Sequence, residues 1–481
     1  MSERSFDTVI VGGGSAGAVL AARLTEDSSR RVLLLEAGPV YPPDGYPEAV
    51  ASSSVLGAYT GHDWGYQSEP GVIGHPVGAY RGKVLGGSSA VNGSVAIRPL
   101  PSDLERWTRR GIKGWTWDEV LPAIERIQLP IHQLSLDEVS PMQRAFVEAA
   151  LAEGVPATDD FNGPNPQGVA PYPMNVQDGV RVNTGIAYLT DEVRSRPNLE
   201  IQGDALVDRV LFDGSTATGV LLADGTEIAA DEVILSGGAY GSPAILLRSG
   251  VGPAADLSAL DIPVVADLPV GAKLYDHPFY YNAYAANPDT IGEQTPVIGA
   301  KVWTASSEAA EGELDLHITA THLFPHDQSP TGVGFVLAVA LTRPESVGSL
   351  TLTSRDPEAA PRIELNFLAE ESDRRRLLEG IALARKIGIT APLTELIDRE
   401  LAPGDVDVLE SALATLDTYH HPTSTVPMGA ADDPTAVVDE LGVVRGLTGL
   451  RVVDASIFPD VPGVATNLTT IAAAEHIAAQ I

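Results

Sequence analysis

Residues 7–38 constrain the fold more tightly than any other stretch. Thr8-Val9-Ile10-Val11 is a short run of apolar, mostly β-branched residues, the pattern of a buried strand. Gly12-Gly13-Gly14-Ser15-Ala16-Gly17 follows at once, and Ala18 to Leu24 reads as a helix. A second strand, residues 31–35, ends in Glu36-Ala37-Gly38. Strand, glycine turn, helix, strand and terminal acid form the dinucleotide fingerprint in its required context. Gly12 permits the tight turn, Gly14 lets backbone approach a pyrophosphate, and Gly17 lets helix and strand pack closely. The pyrophosphate is expected on the helix N-terminus, against the Gly14, Ser15 and Ala16 backbone, where free N–H groups favour an anion. Glu36, next to Ala37, is placed to accept from ribose hydroxyls and would repel a 2′-phosphate, so NADP is not expected here. A glycine turn without a ligand is the alternative, and spacing, context and acid together weigh against it.

At 481 residues the chain exceeds one simple core, and two to three domains are expected. No apolar run reaches the length of a membrane span. Met1-Ser2-Glu3-Arg4-Ser5 runs directly into the first strand and leaves no room for a signal peptide, which points to the cytoplasm. The absence of cysteine excludes disulfides, thiolate catalysis and cysteine metal sites, and no metal is expected. A net charge of −33 repels nucleic acid and anionic membranes, and solubility explains it better than substrate choice does.

Residues 39–76, rich in Gly, Pro, Ser and Tyr, have no sustained period and read as extended loop. His62 there reads as a surface residue, although contact with a cofactor is open. Arg81-Gly82-Lys83-Val84-Leu85-Gly86-Gly87-Ser88-Ser89-Ala90-Val91-Asn92-Gly93 is a second backbone-donor loop. Behind a dinucleotide fingerprint it implies a cofactor longer than one Rossmann unit holds, which points to FAD.

From Asp7 to the C-terminus the chain resembles the glucose–methanol–choline oxidoreductases, flavoprotein alcohol oxidases and dehydrogenases, first through the fingerprint and then through Gly82 to Gly93. Further blocks carry the resemblance: Gly114-Trp115-Thr116-Trp117, Gly237-Gly238-Ala239-Tyr240-Gly241-Ser242-Pro243, Val270-Gly271-Ala272-Lys273-Leu274-Tyr275-Asp276-His277-Pro278, and Leu450 to Pro459. It implies an α/β (α+β) fold: a Rossmann-type FAD domain from residues 1–125, 180–275 and 430–481, and a substrate domain on a large antiparallel sheet from 126–179 and 276–429. It further implies non-covalent FAD contacted by Val84, Gly87, Asn92, Gly93 and Val95, by Val207 at the adenine, by Asp454 and Ala455, and by Asn467 and Thr469. Val91 stands where some relatives carry the histidine that bonds covalently to the flavin.

Other segments are legible by pattern. Residues 199–207 and 210–221 read as strands of a hairpin-rich insertion turning at Asp224-Gly225, and Val233 to Ser236 as a buried strand. Residues 253–269 form a crossover. Residues 279–341 alternate as strands of a large sheet, which residues 343–352 are expected to continue. Residues 372–387 and 409–419 read as helices. Arg374-Arg375-Arg376 reads as a solvated charge run.

Tyr419-His420-His421-Pro422 resembles the family's histidine segment, in which a histidine sits over the flavin. His421 takes the catalytic position, and His420 is expected to point elsewhere. An uncharged imidazole can take the hydroxyl proton while a hydride leaves carbon for the flavin; a structural histidine pair is the alternative. The family's second polar residue falls on Ala465, whose side chain neither donates nor accepts. His421 therefore works alone, or with His420 or a water, or the chemistry differs. A compact segment, residues 128–140, replaces the loop that usually covers the substrate, so a more open mouth is expected. The expected reaction is oxidation of a primary alcohol, ring-bearing (aryl, furan or pyridoxine-like), with O2 or another acceptor. The alternatives are a flavin-containing lyase or decarboxylase of the same fold, and a non-catalytic flavin binder.

Overall fold

The computed structural model describes residues 6–481; the expectation about Met1 to Ser5 lies outside them. The first strand, Phe6–Val11, is buried except at Asp7. It lies between Val32–Leu35 and Glu227–Leu235, both parallel to it. Leu450–Val452 pairs in parallel with Glu227–Leu235. The registers Val11↔Leu35, Val11↔Leu235 and Leu235↔Val452 bring four carboxyl ends level. The chain passes from Phe6–Val11 first to one side of the sheet and later to the other, and open parallel sheets bind ligands at such a switch point.

Leu199–Gln202 is a parallel edge strand beside Val32–Leu35, not part of a hairpin. Its periodicity matches a hairpin strand equally well; only pairing separates the two. The hairpins run instead through Val207–Asp213, Thr216–Leu222 and Glu227–Leu235. The glycine-turn helix, Gly17–Leu24, packs against the C-terminal helix, Thr466–Ala478. Arg23 joins them by two 2.8 Å bonds to the buried Glu475 carboxylate.

The second sheet is antiparallel. Its order is Ile397–Ala402, Pro278–Ala286, Gly334–Leu341, Leu316–Thr321, Ile298–Thr304, Gly168–Pro171, with Asp417–Thr418 also on Pro278–Ala286. Alternation sorts its faces. Tyr280, Tyr284, Leu337, Val339, Leu316 and Ile318 join the main core with Leu377 and Ile381 of the helix Glu371–Gly388. That helix approaches at Gly380, where a Cβ would meet Val339 at 2.7 Å. The opposite face, with Phe279, Tyr281, Thr319 and Lys301, lines a cavity.

Three further expectations change. Ser349–Thr351 does not extend this sheet but pairs with Arg362–Glu364 in a separate ribbon. The chain leaves the sheet after Thr342; the Glu345 and Ser346 N–H groups turn to the Asp373 carboxylate. The helix beginning at Val408 ends at Thr415, because Leu416 is extended and Asp417–Thr418 joins the sheet. In the arginine run only Arg375 reaches well into solvent: Arg376 is buried against Asp373 and Asp315, and Arg374 donates to Leu368 O. Among the described residues no helix is long and apolar enough to cross a membrane.

Candidate active site

A cavity of about 1250 Å³ runs from the level strand ends to the antiparallel sheet. At the first end Gly12 has φ +101°, and a Cβ there would lie 2.5 Å from Ser236 O. A Cβ on Gly17 would lie 1.8 Å from Gly12 O, so Gly17 lets helix and strand touch. Gly14 differs: a Cβ there meets only Gly87 Cα, at 3.7 Å, and the residue faces the cavity. Ser15 Oγ donates to Asn467 Oδ1 at 2.7 Å, leaving the buried Asn467 Nδ2 without an acceptor. Glu36 accepts from the Gly13 and Gly38 N–H groups, each at 2.9 Å. Burial pushes its carboxyl up to about 7 against those donors.

Ala16, Ala37, Gly87, Asn92, Gly93, Val95, Val207 and Ala455 also lie on the cavity wall. Asp454 lies there too, but its carboxylate is taken by Gly238 N–H, Ser242 Oγ and Ser456 N–H. It shapes the Gly237-Gly238 turn from within. Gly17, Val84 and Thr469 are not on the wall. Gly17 backs onto Gly12, Val84 packs with Val50 and Ala90, and Thr469 is buried within the C-terminal helix. His62 is absent from the wall as well and bonds Tyr41. The segment 128–140 contributes nothing to the wall. The open cradle at Gly14, the acceptor-free Asn467 amide and the carboxylate at the second strand end fit the two phosphates and ribose of FAD.

At the other end stand His421, His420 and Ala465. His420 also lines the cavity, but its ring lies 5.1 Å from Tyr80, whereas His421 lies against His277 and Tyr419; the φ of His420 is +64°, and Arg81 donates to its carbonyl at 2.7 Å. Ala465 is the N-cap of Thr466–Ala478 and caps nothing with its side chain. Asp276 fixes the His421 main chain, accepting from His421 N–H at 2.8 Å and from Thr418 Oγ at 2.7 Å. Burial raises the Asp276 carboxyl to about 6.

His277 is the partner that sequence reasoning missed. Its Nδ1 lies 3.0 Å from His421 Nδ1, and its Nε2 lies 3.1 Å from Pro462 O. The carbonyl only accepts, so Nε2 of His277 carries the hydrogen. Burial lowers His277 to about 3, so the ring is neutral and its Nδ1 accepts. The hydrogen between the rings then belongs to His421 Nδ1. This leaves the lone pair on His421 Nε2, which has no partner among the described residues. Burial, with the Arg81 guanidinium adding to it, holds His421 well below the usual histidine range. The signal was the Asp276-His277-Pro278 turn, visible in the sequence, but no local spacing ties His277 to a residue 144 positions away. Lys301, His317 and Tyr419 were likewise missed, because each lies on a strand or loop whose facing is set by sheet register.

The model of the GMC oxidoreductase family matches residues 6–279 and 344–474. The chain is 37% identical to a mitochondrial choline dehydrogenase of Mus musculus over 98% of its own length and 89% of the relative's. A solved pyridoxine 4-oxidase from Mesorbium loti superposes with a TM-score of 0.89 at 32% identity, covering 99% of each chain. A formate oxidase of Aspergillus oryzae RIB40 does so with 0.87 at 25% identity, covering 100% of this chain and 98% of that one. With the dinucleotide cradle at one end of its cavity and an oriented histidine at the other, this chain belongs to the GMC oxidoreductases, FAD-dependent enzymes acting on the CH–OH group.

Proposed function

We propose that the protein oxidises a primary alcohol on a ring-bearing molecule to the aldehyde, with His421 as general base. Bound FAD supplies the acceptor for the hydride that leaves the carbinol carbon. The chain supplies the proton acceptor and its orientation. His421 Nε2 takes the hydroxyl proton; His421 Nδ1–H stays on His277 Nδ1, and His277 Nε2–H stays on Pro462 O. The carrying observation is this ordered pair, since it presents one lone pair to the cavity without a polar side chain at position 465.

Residues that would hold FAD are Gly12, Gly14, Ser15, Glu36, Gly87 and Asn467, which line the first end of the cavity. Val91 lines it with an alkyl side chain, consistent with non-covalent binding. In this reading residues 1–125, 180–275 and 430–481 serve the cofactor, and 126–179 with 276–429 serve the substrate. The aromatic walls (Phe279, Tyr281, Tyr172, Tyr419) support a flat substrate. A quaternary ammonium is not favoured, because the box of Trp303, Tyr172 and Phe161 already surrounds the chain's own Lys301.

The test is an anaerobic titration of the flavin-loaded protein with aryl, furan and aliphatic alcohols, following the visible flavin band. Bleaching by a ring-bearing alcohol, slowed about 10²- to 10⁴-fold in His421→Ala, is expected. Absence of bleaching by every alcohol would overturn the reading.

A further inference from the structure

Among the described residues, three arginine or lysine side chains line the cavity: Arg81, Arg248 and Lys301. Arg248 is bonded to Asp208, through both its side chain and its carbonyl. Arg81 donates to the Tyr80 and His420 carbonyls. Lys301 has no such oxygen. It is fully buried, and the polar atom beside its Nζ is His317 Nε2, at 3.4 Å. No carboxylate pairs with it among the described residues. Burial alone pulls its amine well below the ordinary lysine value.

Its surroundings favour a cation nonetheless. Nζ lies 3.8 Å from the Trp303 ring centre, 4.7 Å from that of Phe161 and 5.7 Å from that of Tyr172. Faces of aromatic rings stabilise an ammonium, most strongly when water is excluded. A lysine that donates to His317 Nε2 forces the hydrogen of that ring onto Nδ1, which is buried and also lacks a partner. The corner therefore holds donors and no anion; alone, the buried amine is driven toward its neutral form, and an anion beside it would favour the charged one. Sheet register places it near the histidine. Lys301 pairs with Thr319, His317 is two residues from Thr319 on the same face, and the His317 ring lies 6.1 Å from Tyr419, itself 4.6 Å from His421.

We propose that Lys301 is the specificity-determining residue of this site, and that it selects alcohols carrying an anionic oxygen, most simply a carboxylate, at the end of the molecule remote from the reacting carbinol. The inference rests on the alcohol-oxidation reading for its chemistry, but the anion site itself does not.

The probes are 3- and 4-(hydroxymethyl)benzoate, each against its uncharged methyl ester, titrated anaerobically into the flavin-loaded protein. At least one acid is expected to bleach the flavin at about tenfold or lower concentration than its ester. Lys301→Met, which keeps the stem and removes the charge, should bring that ratio to within about twofold, and Lys301→Gln likewise. Equal half-saturation of acid and ester in the unmodified protein overturns the proposal without any variant. A preference that survives in a folded Lys301→Met protein overturns it too.

Benzoate and benzamide, which carry no carbinol, separate this proposal from the reaction. Their binding is read from the flavin band and from thermal shift. If no alcohol bleaches the flavin but benzoate binds at least about tenfold more tightly than benzamide, and Lys301→Met abolishes the difference, the anion site stands while the oxidation reading falls. If benzoate shows no advantage over benzamide, or keeps it in Lys301→Met, the anion site falls.

Discussion

In the proposed reaction His277 decides which nitrogen of His421 serves as the base, although it does not line the cavity itself. Replacing it with Ala removes the acceptor for His421 Nδ1–H and frees the ring to rotate or change tautomer. The expected result is a fall in kcat of up to about 100-fold, with flavin content and KM little changed. The pH profile adds a readout that a merely structural role would not move. A base works when unprotonated, so activity is lost as pH falls through its pKa. Burial, with the Arg81 guanidinium adding to it, holds His421 well below the usual histidine range, so kcat/KM should be level around neutral pH and decline only in acid. The neutral His277 accepts from His421 Nδ1–H, which favours the protonated ring; in His277→Ala that acceptor is gone, and the acid limb should move to lower pH. Two glycines give a second contrast. Gly14→Val places its methyl groups in the cradle with no clash closer than 3.7 Å at Cβ, so the protein should fold but carry little flavin. Gly17→Val drives Cβ to 1.8 Å from Gly12 O and should not yield a folded chain. Flavin-to-protein absorbance and circular dichroism distinguish the two.

The C-terminal helix meets the cavity through its uncapped N-terminus. Ala465 is extended and offers no acceptor to the first turn. Ala465→Asn should cap Asn467 or Leu468 N–H with the amide oxygen and raise stability by about 1 kcal/mol, measured by denaturant unfolding. The same substitution narrows the pocket and directs an NH2 group at the substrate, and a drop in rate alongside the gain in stability would show that the space at 465 is used. Elements of this kind were legible to different degrees. The helix Glu371–Gly388 follows from periodicity, because one face of it is buried; the strands of the second sheet are buried on both faces, and alternation shows where one face lines the cavity, as His317, Thr319 and Thr321 do in Leu316–Thr321. Leu199–Gln202 was legible as a strand but not as a parallel edge, and Asp417–Thr418 was hidden in a helical pattern. Pairing partners lie far away in sequence, and a short strand carries no mark of which neighbour it will take.

Over the whole molecule, 64 acidic against 31 basic side chains leave a net charge of −33. Self-repulsion of this size weakens the compact state, and salt screens it. Thermal unfolding should therefore move upward, by roughly 2 °C or more, between about 0.01 and 0.15 M salt. An unchanged or falling Tm would mean that the acids are locally compensated, as Glu475 is by Arg23 and Asp460 by Arg106 and Arg110.

The sequence by itself determined the dinucleotide end. Gly12, Gly14, Gly17 and Glu36 do their work within one strand–turn–helix–strand unit, where backbone conformation and close packing are local demands that only certain residues meet. It also located the histidine segment and exposed the missing polar group at Ala465. The tertiary structure alone decided the rest of the site. The His277–His421 contact joins a turn to a distant loop, Lys301 reaches the cavity only because the register Lys301↔Thr319 puts it on the same face as His317, and both depend on long-range pairing. Such juxtapositions arise when strands distant in sequence pack side by side, and no local pattern of residues encodes them.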